Sequence, residues 1–98
     1  MIYRVVLRPE AEFEVAEAYH WYEEQVEGLG EEFLRAVDAC LAAVQRTPAI
    51  YPLIHEEVRR ALLRKFPYCI FYLIESNTVV ILACFHARRD PKQWQDRM

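Results

Sequence analysis

Val79-Val80-Ile81-Leu82-Ala83-Cys84-Phe85-His86-Ala87-Arg88-Arg89-Asp90-Pro91 changes character abruptly after Phe85. The first seven residues are uncharged and apolar, rich in β-branched types and free of Gly and Pro. That is the pattern of a strand covered on both faces, which belongs in the middle of a small sheet. His86, Arg88, Arg89 and Asp90 then emerge where the core ends, and Pro91 stops the strand. Polar groups at the end of a buried strand sit on a rigid platform and face solvent.

Working upstream, Ser76-Asn77 makes a tight hairpin turn that leads back into a strand over Tyr68 to Glu75. Phe66-Pro67 separates this strand from another, Val58 to Lys65, because proline cannot donate to a ladder. Along that strand Arg60 and Arg64 fall on one face and Arg59 and Lys65 on the other. Ala49 to Glu57 contains Pro52, shows no clear period and reads as a loop. At the other end, Ile2 to Leu7 is a short β-rich run. Arg8-Pro9-Glu10 starts a helix that runs to about Glu27, with Glu10, Glu12 and Glu14 near the positive end of its dipole.

Ala11, Val15, Ala18, Tyr19, Tyr22 and Val26 mark one face of this helix, and Phe13, Ala16, His20 and Trp21 widen its apolar surface. Gly28-Leu29-Gly30 is a tight joint, with Gly28 suited to a left-handed C-cap and Gly30 starting the next helix. A second helix follows from Glu31 to about Arg46, with Phe33, Val37, Cys40, Leu41 and Val44 on one face. So short a joint makes the pair an antiparallel helical hairpin. Lys92 to Met98 is expected to add one helical turn, with Trp94 folding back. The layout is β-αα-β-β-β: an α+β domain over residues 1–98, with a helical hairpin packed on a small, mostly antiparallel sheet.

Composition excludes several function classes. No apolar run approaches the roughly 20 residues that cross a bilayer, and Met-Ile-Tyr-Arg does not open a signal peptide, so a cytoplasmic, membrane-free protein is expected. Ser76 is the only serine and lies in a turn, which argues against a Ser-His-Asp hydrolase. Two glycines in one helix joint cannot build a phosphate-cradling loop. The three cysteines (Cys40, Cys69, Cys84) sit in apolar segments and read as reduced, buried thiols. Cys84 and His86 point to one side of a strand, but no second pair with ligand spacing exists, so neither metal nor cofactor is expected. Glu23-Glu24 and Glu31-Glu32 read as solvated helix ends rather than paired catalytic carboxylates.

Charge is divided along the chain. Residues 1–50 hold four Lys/Arg against ten Asp/Glu, a net of −6; residues 51–98 hold eight against five, a net of +3, giving −3 in all. An acidic partner would meet the second half; mutual neutralisation of the two halves is the plainer account. The basic set is Arg59, Arg60, Arg64, Lys65, His86, Arg88 and Arg89, with Tyr68 nearby at one end of the sheet. Arginine forks grip phosphates and carboxylates at two points, which suits RNA, DNA or an acidic protein segment. His86 is the one group there fit for proton transfer, or else a structural histidine that pairs with Asp90.

Val58 to Tyr68, Ile70-Phe71-Tyr72, and His86-Ala87-Arg88-Arg89-Asp90-Pro91 with Trp94 and Arg97 resemble the RelE/ParE toxin superfamily. The upstream pattern of Tyr22, Gly28-Leu29-Gly30, Phe33 and Pro48 is similar to it as well. The resemblance covers nearly the whole chain and implies the toxin of a type II toxin–antitoxin pair, a ParE-like plasmid stabilisation protein. It further implies a cognate antitoxin, possible hetero-oligomers with it, and an antitoxin-binding role for Phe13, Ala16, His20 and Trp21. RelE-like members are ribosome-dependent mRNA endoribonucleases, and in that branch His86, Arg60, Arg64 and Arg88 would take the catalytic roles. ParE-like members inhibit DNA gyrase and lack that set. The acidic balance, Glu56-Glu57 before the second strand, and the missing Tyr after the last strand point to the ParE side. On that reading no catalytic residue is assigned and the basic set binds the target. A toxin that has lost toxicity but still binds its antitoxin is a third expectation.

Overall fold

The computed structural model describes residues 2–88; Arg89, Asp90, Pro91, Arg97 and the expected helical turn with Trp94 lie outside the described residues. The elements are β1 (Arg4–Leu7), α1 (Pro9–Gln25), α2 (Leu29–Arg46), a short 3-10 turn (Pro48–Ile50), β2 (Leu53–His55), β3 (Val58–Leu62), β4 (Tyr68–Glu75) and β5 (Thr78–His86). They form one five-stranded sheet in the order β1-β5-β4-β3-β2. β1 runs parallel to β5, and the other neighbours are antiparallel. The helical hairpin lies on one face. As the apolar run requires, β5 is an interior strand with neighbours on both sides.

Two expectations are corrected. The segment from Ala49 to Glu57 is not all loop: Pro48–Ile50 coils once, and Leu53–His55 adds an edge strand that pairs with Arg59 and Val58. β3 ends at Leu62, so Arg64 and Lys65 sit in the turn to β4 and not on strand faces. Lys65 adopts a left-handed φ of 68° there, an uncommon conformation for a residue with a side chain.

β5 carries a bulge. Phe71 pairs with Ala83 and Tyr72 with Ile81, leaving Leu82 as the extra residue. The bulge shifts the alternation by one. Val79, Ile81 and Cys84 join the core beneath the helices, while Leu82, Ala83 and Phe85 join Val58, Cys69 and Phe71 in a second buried cluster on the opposite face. His86, two residues beyond Cys84, therefore returns to the helix side, where it pairs with Tyr68.

The joint between the helices is built by close approach. Gly28 has a φ of 89°, as its left-handed role demands. The Glu23 carboxylate accepts from the backbone N–H groups of both Gly28 and Gly30, each at 2.9 Å. Glu23 thus closes the start of α2 with a negative charge at the positive end of the dipole, rather than pointing free into solvent. A Cβ on Gly30 would lie 2.8 Å from the Tyr19 ring and backbone oxygen and 2.9 Å from the Glu23 carboxylate. Gly30→Ala is therefore expected to destabilise by about 1–3 kcal/mol through overpacking. Urea unfolding would read this loss, with no change expected in the slope against denaturant.

α1 also departs from its expected stripe. Its buried positions are Ala11, Glu14, Ala18 and Tyr22, whereas Val26 lies beyond the helix end and is exposed. Glu14, only 8% exposed, accepts from the Cys84 backbone N–H at 3.0 Å, two residues after the bulge. A carboxylate here supplies a buried strand amide with a partner.

Candidate functional site

The basic residues divide into three groups with different surroundings. Arg59 is half-buried on the helix side of β3, opposite Tyr72. Its guanidinium donates from Nη1 to the carbonyls of Ala49 (3.0 Å) and Tyr51 (2.6 Å). The Tyr72 hydroxyl donates to the Pro48 carbonyl at 2.6 Å, so two side chains on neighbouring strands hold the segment between α2 and β2. Burial pushes the Tyr72 phenol above its ordinary range, which keeps it a hydrogen-bond donor. Arg59 is accordingly a fixing residue for this segment. Arg59→Met is expected to cost about 1.5–3 kcal/mol, the range for hydrogen bonds from a charged donor. Thermal unfolding would measure it.

Arg60 is exposed and pairs with Phe71, which places it on the face away from the helices. Arg64 and Lys65 are exposed in the β3–β4 turn beside α2, where Arg64 borders a groove with Glu32 and Arg35. His86 is half-buried on the helix face, its ring 5.5 Å from that of Tyr68. Its Nδ1 accepts from the Arg88 backbone N–H at 3.1 Å, which ties the strand end to its own turn. Arg88 is exposed. Arg89 and Asp90, the partner expected for a structural His86, lie outside the described residues.

The four residues of the nuclease branch are thus not gathered on one surface. Arg60 and His86 stand on opposite faces of the sheet, and Arg64 sits in a turn by α2. Four cations are exposed: Arg60 on the sheet face away from the helices, Arg64 and Lys65 in the β3–β4 turn, and Arg88 in the turn after β5.

On α1, Phe13, Ala16, His20 and Trp21 are all exposed; Phe13 is 63% and Trp21 54% accessible. Their spacing gives the helix an apolar outer surface in addition to the stripe that packs on α2 and β5. Cys69 and Cys84 are buried as expected, whereas Cys40 is only half-buried. Burial pushes Cys40 up to about 11 and Cys84 up to about 12, the latter with a further contribution from the nearby Glu14 carboxylate. Among the described residues no group of three or more His, Cys, Asp or Glu could hold a metal ion. Likewise, no helix among them is long and apolar enough to cross a membrane.

Residues 5–91 match the family model for the ParE toxin of the type II toxin–antitoxin system, parDE. A search of curated proteins returned no significant match. Among solved structures, the chain is similar to one from the chromosomal ParDE toxin–antitoxin system of P. aeruginosa, with a TM-score of 0.69 and 18% identity over 87% of this chain and 96% of that one. It is also similar to a chain of the RelBE toxin–antitoxin complex of Mycobacterium tuberculosis, with a TM-score of 0.62 and 22% identity over 88% and 99%.

Proposed function

The chain belongs to the ParE toxin family of type II toxin–antitoxin systems, and from that premise we propose that it arrests growth by inhibiting DNA gyrase and is neutralised by a cognate antitoxin. The observation that carries the choice of target is the separation of His86 from Arg60. A ribonuclease needs a proton-transfer group and charge-stabilising cations around one phosphate. Here the candidate acid–base group lies against Tyr68 on the helix face, with Nδ1 engaged by its own turn, while Arg60 projects from the other face. Exposed arginines without such a group suit binding rather than bond cleavage. Arg60, Arg64, Lys65 and Arg88, with Arg89 next to Arg88 in sequence, would hold the target. Arg59 and His86 would act by keeping the platform in shape.

Phe13, Ala16, His20 and Trp21 would receive the antitoxin. Exposed apolar residues at helical spacing are the surface that an apolar partner segment covers, and the similar solved chains come from toxin–antitoxin systems.

The test is biochemical. Purified chain added to gyrase and relaxed plasmid should block supercoiling, and His86→Ala should retain this inhibition to within about threefold. Intact supercoiling, together with cleavage of ribosome-bound mRNA that His86→Ala abolishes, would replace this reading with the nuclease one.

A further inference from the structure

The outer edge of β3 is only partly paired. The Arg60 N–H donates to the Pro52 carbonyl at 3.1 Å, whereas the Leu63 N–H turns the other way, to the Tyr68 carbonyl at 2.9 Å. Alternation along the strand therefore points the Leu62 N–H and C=O to the outer edge. The pairing with β2 stops short of that position, and no described strand receives them. A groove of about 320 Å³ opens between this edge and α2, floored by Ala36, Ala39 and Ala43, walled by Leu62, and carrying Arg46 and Arg64. Arg64 also borders Ala36 and Glu32 near the start of α2, while Arg46 belongs to its last turn. The two arginines thus mark the two ends of the groove, and from Ala36 to Arg46 the helix rises roughly 15 Å. Both are exposed, and neither makes an ion pair or a side-chain hydrogen bond with a described residue. Among the described residues no carboxylate lines the groove.

We infer that this groove seats an extended acidic segment of the target, gyrase, which pairs with the free edge of β3 and sets one carboxylate on Arg46 and another on Arg64. The inference rests on the reading of Arg64 as a target contact, and adds Arg46 and the chemistry of what both hold. A strand rises about 3.3 Å per residue, so carboxylates four residues apart stand roughly 13 Å apart, which matches the length of the groove. Alternate side chains of that strand share a face, so the residue midway between the two carboxylates meets the alanine floor and is small. Each guanidinium can take its carboxylate through two parallel bonds. An apolar segment would pair with the edge but cover two arginines without a counter-charge. Nucleic acid would satisfy the arginines, yet it offers no strand to Leu62 and is repelled by a chain of net charge −3.

The experiment titrates the full chain with the peptide acetyl-Thr-Glu-Val-Ala-Val-Glu-Thr amide, with its counterpart carrying glutamine for glutamate, and with a short DNA duplex. The readout is the backbone amide signal of Leu62 in nuclear magnetic resonance. The glutamate peptide should shift this signal saturably, about tenfold more tightly than the glutamine peptide. Arg46→Gln should weaken the glutamate peptide about threefold and leave the glutamine peptide alone. The same variant should inhibit gyrase supercoiling about threefold less well, at an unchanged melting temperature. Equal binding of the two peptides, no shift at Leu62, or a shift caused by the duplex alone would overturn the proposal. Full potency of Arg46→Gln against gyrase would overturn it too, because the groove would then serve another partner such as the antitoxin. A parent chain that leaves supercoiling intact overturns the gyrase reading instead. Arg46→Gln is then scored on growth arrest, where the same loss of potency is expected and full potency sinks the groove.

Discussion

Phe33→Ala is expected to lower the free energy of unfolding by about 3–5 kcal/mol, the range for truncating a fully buried phenylalanine. Phe33 is completely buried on α2, with its ring 5.3 Å from Tyr22, 5.4 Å from Phe66 and 5.2 Å from Tyr68. Those rings come from α1, the β3–β4 turn and the start of β4. One side chain therefore joins both helices to the β3–β4 turn that carries Arg64 and Lys65. Domains of this size have only about 5–15 kcal/mol in total, so the variant should be partly unfolded at 37 °C. Equilibrium urea unfolding measures the loss. A cost below about 1 kcal/mol would show that the surrounding rings collapse into the space and that the cluster is not the hub described.

The second large effect is on activity with the fold preserved. Arg60→Ala combined with Arg88→Ala removes two exposed guanidinium groups that make no side-chain hydrogen bond with other described residues, and surface changes of this kind usually shift stability by no more than about 0.5 kcal/mol. If both arginines bind the target at about 2 kcal/mol or more apiece in the manner of interface hot spots, affinity should fall by roughly three orders of magnitude. Expression of the double variant should then no longer arrest growth. The circular dichroism spectrum and melting temperature should match those of the parent chain. Persistent full toxicity in a folded double variant would remove the basic set from the account. Arg59→Met is the matched contrast: it should lower the melting temperature and leave the activity of the folded molecules in place.

The legible parts of the fold were those where one physical rule dominates a long enough segment. Helices showed themselves through spacing and through Gly28, whose positive φ is as expected although it precedes α2 as its N-cap while Val26 is the C-cap of α1. β4 and β5 showed themselves through β-branched runs around a two-residue turn, and the interior place of β5 follows from its lack of charge. β2 was hidden because three residues beside Pro52 carry too little pattern; its existence depends on Arg59 and Val58 across the sheet. The bulge at Leu82 was hidden for the opposite reason. In a uniformly apolar strand a shift of register leaves no mark on the sequence, yet it decides the face on which His86 emerges.

The candidate site was legible as a list and not as an arrangement. Residue type identifies arginine as a cation, but only the contacts show that Arg59 serves the chain's own carbonyls while Arg60 is free of such duty. Glu14 carries a signal in its spacing of three and four from Ala11 and Ala18, which places it on the buried stripe. A carboxylate at such a position predicts a donor inside the core. The Cys84 amide is that donor.

The most direct test of the central claim follows DNA synthesis and protein synthesis separately, by radiolabel uptake, after controlled expression of the chain in a bacterial host. The account predicts that DNA synthesis falls first, with induction of the DNA damage response, and that His86→Ala behaves like the parent. Translation collapsing first, with mRNA cut on the ribosome, would contradict it and return His86 and the arginines to an active site.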